Sequence, residues 1–379
     1  MLSPSTSAPG PEARGAMSLA GWRRLRQLLL ALGVLSMAFG LYTGLIRLGV
    51  EPPGILGPVA EFHGAFMISG FLGTVISLER AVAFGRVWPY AGPLLSSIGA
   101  VALVANAPRL GAFAFASAGG VMLLASASIA IRQLALFTVT LAAGAACWVA
   151  GTLQWLMGAF TPAVTGWWLN FLVLTVAAER LELSRVRHLS RASRAAFAGV
   201  TLLLLLGSAR GEFAESWAPL TAAGLLGCSG WLLCYDVARR TVRSAGQPRF
   251  SAIAILIGHG WLGAAGVLLA MTPLDSAALA YDASVHAITI GFALSMIFAH
   301  APIILPAVTG IRVRYSSALY APLILLHLSL VMRIAGDILE QSELRIVSGF
   351  VTILALAAYA ITLALASAGK NVARTMRDI

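Results

Sequence analysis

Five of the six histidines of this chain, His63, His259, His286, His300 and His327, lie within long apolar stretches; His188 sits in a polar segment. An ionisable side chain in hydrocarbon is costly to bury and marks a functional position. The chemistry imidazole brings to such a place is ligation, because its unprotonated nitrogen binds transition metals, haem iron and copper among them. The bland alternative is an imidazole hydrogen-bonded across helices to a hydroxyl or a carbonyl.

The elements that must position these rings follow from composition. The chain of 379 residues is 59% hydrophobic and 11% charged, with a mean hydropathy of +0.87, outside the range of soluble domains. Apolar runs long enough to cross about 30 Å of hydrocarbon as helices cover 27–49, 57–78, 88–107, 110–131, 133–157, 160–181, 195–211, 217–237, 250–272, 279–304, 316–336 and 346–368. Barrel strands would be half that length and alternate in polarity. The expected fold is therefore all-α, a polytopic membrane bundle of twelve transmembrane helices. Residues 1–22, rich in Ser, Pro, Ala and Gly, read as a disordered cytoplasmic tail with no signal-peptide core, and 23–379 as a single transmembrane domain.

The net charge of +11 is not a nucleic-acid signal. With the amino terminus inside, all of the 26 basic residues except Arg47, Arg109, Arg210, Arg333 and Arg345 fall on the cytoplasmic side, the bias that orients membrane helices. Both termini are expected there. Cys147, Cys228 and Cys234 have no zinc or haem-attachment spacing and read as apolar filler. Connecting segments are short, so the chemistry must lie in the bundle.

Depth then sorts the histidines. Helices 2 and 10 run the same way, and His63 and His286 lie at similar depth below their outer ends. These two are the expected axial pair of one haem. His259 and His327 fall nearer the midplane, as a second metal or cofactor site or a hydrogen-bond network. His300 lies about 21 Å further along helix 10 than His286, so the two cannot share a metal, and it could contribute to the second site from below. Gly70 and Thr74, on the face of His63, and Gly263 and Gly266, on that of His259, leave room for a flat macrocycle or allow close helix packing. Arg333, in the outer third of helix 11, would pair with a cofactor carboxylate, or with Asp337 one turn on. Arg47 is a second cation of this kind, or snorkels to the interface.

The stretch His286-Ala287-Ile288-Thr289-Ile290-Gly291-Phe292, through Ser295-Met296-Ile297, resembles the corresponding helix of the NnrS family. Leu328-Ser329-Leu330-Val331-Met332-Arg333 resembles that family's next helix, and the likeness covers residues 282–336. Its members are bacterial twelve-helix membrane proteins that contain haem and copper and are associated with nitric oxide metabolism and nitrosative stress. The resemblance implies a bacterial inner-membrane protein that binds haem, with copper as a second metal and a diatomic gas as ligand. Its first histidine segment is richer in histidine than Glu61-Phe62-His63-Gly64.

A more distant resemblance is to the catalytic subunit of haem–copper oxidases, also of twelve helices, with a low-spin haem ligated from helices 2 and 10. Helices 6 and 7 of this chain contain no histidine, so that family's copper ligands are missing and its oxygen chemistry is not expected. That fold is built from three arcs of four helices. Glu79-Arg80 and Glu179-Arg180 end helices 2 and 6, four helices apart; they fit such arcs, or simply mark cytoplasmic helix ends. Three functions compete: a haem protein for nitric oxide, a redox enzyme oxidising quinol through haem, and a secondary transporter using Asn170, Pro302 and Pro306.

Overall fold

The computed structural model describes residues 18–51, 57–209, 218–271 and 277–368. Every regular element among them is helical. The elements are α1 (Leu19–Arg47), a 3-10 turn Gly57–Phe62, a π-helical segment Ala65–Gly73 continuing into α2 (Thr74–Phe84), α3 (Ala91–Val104), α4 (Pro108–Arg132), α5 (Leu136–Leu156) and α6 (Thr161–Leu183). Then come α7 (Arg191–Ala209), α8 (Ala218–Tyr235), the short α9 (Ala238–Thr241), α10 (Gln247–Met271) and α11 (Ala277–His286). A second π-helical segment, Ala287–Leu294, leads into α12 (Ser295–Thr309), followed by α13 (Tyr320–Ile338) and α14 (Ser342–Ala368).

Among the described residues ten helical stretches are long and apolar enough to cross a membrane, and two shorter apolar helices lie at Trp88–Val104 and Pro219–Tyr235. Large apolar side chains such as Phe113, Leu124, Leu202, Ile324 and Leu365 stand on the outside of the bundle, which is a lipid-facing surface and not a solvated one. The chain is a multi-pass membrane protein.

The expected tail over 1–22 is shorter at its far end. Ser18 caps α1 by accepting from the Gly21 N–H at 3.1 Å, so residues 19–22 are already helical; residues 1–17 lie outside the described residues. The ends of the expected helices at 210–211, 217 and 272 do so as well.

Short connections make sequence neighbours pack together: α3 on α4, α4 on α5, α5 on α6, α7 on α8, α8 on α10 and α13 on α14. The centre is filled by Trp148, Trp168, Phe66, Phe171 and Phe292, all fully buried. Trp148 stacks on Phe171 with centroids 4.8 Å apart and donates to Ser69 Oγ at 3.0 Å. The start of α1 and the end of α12 meet, Gln27 donating to the Thr309 carbonyl at 3.2 Å. Arg314 N–H donates to the Ala366 carbonyl at 3.3 Å. One end of the bundle therefore gathers the first and last described helix ends.

The two π-helical segments depart from the regular helices expected over 57–78 and 279–304. Their wider turns move the backbone bonds from the i→i−4 to the i→i−5 ladder, and hydroxyls of the same or neighbouring helices add second bonds to their carbonyls. Ser36 of α1 donates to the Phe66 carbonyl at 3.0 Å. Ser96 of α3 donates to the Ser69 carbonyl at 2.6 Å, and Ser295 to the Gly291 carbonyl at 2.5 Å. Irregular backbone at membrane depth survives only with such partners.

Candidate functional site

His63 follows the 3-10 turn Gly57–Phe62 and stands two residues before the first π segment, and His286 is the last residue of α11, immediately before the second. Both line one cavity of about 380 Å³ between α1, α6, α11, α13 and α14. Its walls are apolar (Leu41, Met67, Ile68, Trp168, Ile290 and Leu294 among them), and Arg47, Glu61 and Arg333 also line it. π-helical bulges recur at functional sites because they re-aim side chains without ending the helix. Here each follows a histidine of the cavity.

Each ring is oriented through one nitrogen. His63 Nδ1 lies 2.7 Å from the Gly40 carbonyl oxygen, and His286 Nδ1 lies 2.8 Å from the Asp282 carbonyl oxygen. A carbonyl only accepts, so in the neutral ring both Nδ1 atoms carry the proton and both Nε2 atoms keep a lone pair. A backbone or carboxylate partner on the far nitrogen is the usual support of a metal-ligating imidazole. Gly44 makes room for the His63 ring: a Cβ there would stand 2.9 Å from its Cε1.

Arg333 joins this cavity with Asp282 as its nearer partner and the expected Asp337 as a second. Its Nε and Nη2 reach Asp282 Oδ2 at 2.8 and 2.7 Å, while Asp337 stands 3.8 Å away and is engaged by Arg345 at 2.8 Å. Asp282 Oδ1 is also 3.5 Å from His286 Nδ1. The carboxylate thus links cation and imidazole. Sequence reading passed over Asp282, although an acid one helical turn before a membrane histidine was the available signal.

Gly70 is not part of the cavity. It packs against Ser36 of α1, because the π-helical turns rotate it off the face it would share with His63 on a regular helix. His259 and His327 do not form a common site either. His259 is fully buried, with Nε2 3.6 Å from Asp236 Oδ2. His327 accepts from Trp261 Nε1 at 3.1 Å and stacks on that indole beside a shallow apolar depression of the surface. Two residues apart on α10, His259 and Trp261 point to different faces, which separates their partners.

His300 belongs with His259 instead. Its Nδ1 lies 2.7 Å from the Met296 carbonyl oxygen and its Nε2 3.5 Å from Arg180 Nη1. Arg180 donates to both oxygens of Asp236 at 2.7 Å in a buried bidentate pair. The histidines are therefore gathered as His63 with His286, His259 with His300 across the Arg180–Asp236 pair, and His327 by itself on Trp261. Among the described residues no three His, Cys, Asp or Glu side chains are grouped to hold a metal ion.

Two imidazoles on one apolar cavity fit the donor set of a haem, whose macrocycle supplies four nitrogens itself. They fall short of the three or four protein ligands of a copper or zinc centre. No curated protein matches the chain. A family described as a domain of unknown function (DUF8744) matches residues 26–368, which is nearly the whole helical bundle, and the chain belongs to that family.

Proposed function

We propose that this chain is an integral membrane haem-binding protein of the NnrS kind, linked to nitric oxide or nitrosative-stress metabolism in the bacterial cytoplasmic membrane. The observation that carries the reading is the pair His63 and His286 on one apolar cavity, each with Nδ1 held by a carbonyl and Nε2 unengaged. Haem bound there would supply a redox-active iron able to take a diatomic gas. The chain's own groups do the rest. Asp282 orients His286, Arg47 and Arg333 would hold the carboxylates of such a group, and Leu41, Met67 and Ile290 would exclude water from it.

In this reading the two shorter apolar helices complete twelve spans with both termini cytoplasmic. Three arcs of four helices draw support from the helices of His63, Glu179 and His286. Gly70-Phe71, Asn170-Phe171 and Gly291-Phe292 each precede Glu79, Glu179 and His300 at one spacing. Arg80 pairs with Glu179, and Arg180 reaches His300, so each cation contacts the next helix's matching group. A transporter has less in its favour, since its pathway helices are usually unwound near the midplane, whereas Tyr281–Thr309 stays helical through its π-helical turns and both internal prolines.

The test is a visible spectrum of the purified chain with iron and copper analysis. We expect a low-spin Soret band, about one iron per chain, and its loss in both His63→Ala and His286→Ala. A wild-type spectrum in both variants, or no iron in wild type supplied with haem, overturns the reading.

A further inference from the structure

A second cavity, of about 410 Å³, lies between α1, α2, α6, α12 and α14. It does not require the haem reading. Leu72 and Leu294 line this cavity and the histidine cavity alike, so the two are separated by little more than those side chains. Its walls are otherwise aliphatic or aromatic over most of their length, and three ionisable groups face it at matching positions, Glu79, Glu179 and His300. Val34 of α1 and Ala360 and Ala364 of α14 also line it, and all three are exposed on the surface of the bundle. The cavity therefore opens sideways, toward the hydrocarbon of the membrane.

We propose that this cavity binds an isoprenoid quinol from the bilayer. A lateral opening through aliphatic side chains admits a ligand with a hydrocarbon tail. The polar groups decide its head. Arg80 serves both carboxylates from behind the wall and neither it nor Arg180 lines the cavity, so a phosphate or fatty-acid head would meet carboxylate oxygens first, with one cation already shared between two acids. An uncharged ring bearing hydroxyls meets the opposite situation. Glu79 is held as a carboxylate by the neighbouring charge of Arg80 but accepts no side-chain hydrogen bond from it, which leaves its oxygens to accept from a ligand hydroxyl. Glu179 is held by Arg80 and retains further acceptor capacity. A quinol has two hydroxyl donors on an apolar ring and tail; the oxidised quinone has acceptors only. The cavity should therefore prefer the reduced form, and it places that two-electron carrier beside the histidine cavity.

The experiment is anaerobic equilibrium dialysis of the full chain in nanodiscs against decyl-ubiquinol and decyl-ubiquinone. Saturable binding near one per chain is expected, with the quinol about tenfold tighter. Ala301→Trp and Ala360→Trp, which fill the cavity, should each weaken quinol binding at least tenfold. Glu79→Gln should erase most of the preference for the reduced form. His327→Ala lies outside both cavities and should leave quinol binding unchanged; binding is measured on chain with and without iron, so that failure of the haem reading does not count against this one. Folding of each variant is checked by its helical circular dichroism and monodispersity. No saturable binding to wild type overturns the proposal. So does undiminished binding in both well-folded tryptophan variants, or equal competition by decylbenzene, which has the tail and ring without the hydroxyls.

Discussion

His63 and His286 stand or fall on what holds their rings. Gly44→Ala would set a methyl carbon 2.9 Å from His63 Cε1, and the ring must yield. We expect Gly44→Ala to shift or broaden the low-spin spectrum while the helical content is kept; an unaltered Soret band would show that the ring's position is not critical. Asp282→Asn removes the charge that supports both His286 and Arg333. Loss of such an outer partner costs about 10–100-fold in metal affinity, readable as haem transfer to apomyoglobin. Arg333→Lys keeps a charge but not the fork that meets Asp282, so haem retention should fall in part, and full retention in Arg333→Ala would remove Arg333 from the site. At this scale the sequence was informative about types and nearly silent about partners. Five membrane histidines could be named, but Asp282 and Asp236 acquire meaning only once α13 and α6 bring arginines to them.

The two π-helical segments are the element-level device. Each begins within two residues of a cavity histidine, and the first also receives hydroxyls from two neighbouring helices. Ser36→Ala would leave the Phe66 carbonyl without its donor from α1, and Ser96→Ala the Ser69 carbonyl without its donor from α3. Each lost hydroxyl–carbonyl bond costs about 0.5–1.5 kcal/mol, so each variant should lower the thermal unfolding temperature in detergent, and the pair more than either. No change in the double variant would mean that the π-helical turns hold themselves. Hydrophobicity located helices 2 and 10 but could not reveal these turns, because an α-helix and a π-helix bury the same apolar residues in the same span. The misplacement of Gly70 follows from that.

For the whole molecule, the Arg180–Asp236 pair ties α6 to the end of α8 where side-chain exposure is 4% and 0%. Asp236→Ala would strand a buried guanidinium at a cost of about 3–5 kcal/mol, whereas Arg180→Met with Asp236→Leu together should cost far less. Denaturant titration in detergent distinguishes the two, and equal losses would show that the pair is not coupled. The asymmetry of basic residues predicts that single cysteines placed near either terminus are shielded from impermeant maleimide in intact cells; labelling of either from outside would reverse the topology.

The sequence by itself determined the class: apolar runs of membrane length, helices to fill them, five of six histidines within the spans, and the segments that carry them. Those are properties of composition and length along one dimension, and the bilayer makes them binding because unpaired backbone is not tolerated in hydrocarbon. Only the tertiary structure decided which histidines meet. Depth can be counted from a helix end, but azimuth cannot, and helix rotation is set by packing, by the π-helical turns and by where the serines and arginines of neighbouring helices find their acceptors. That is why His63 and His286 share a cavity, why His259 turned to Asp236 and His327 to Trp261, and why His300 came to a cavity with Glu79 and Glu179.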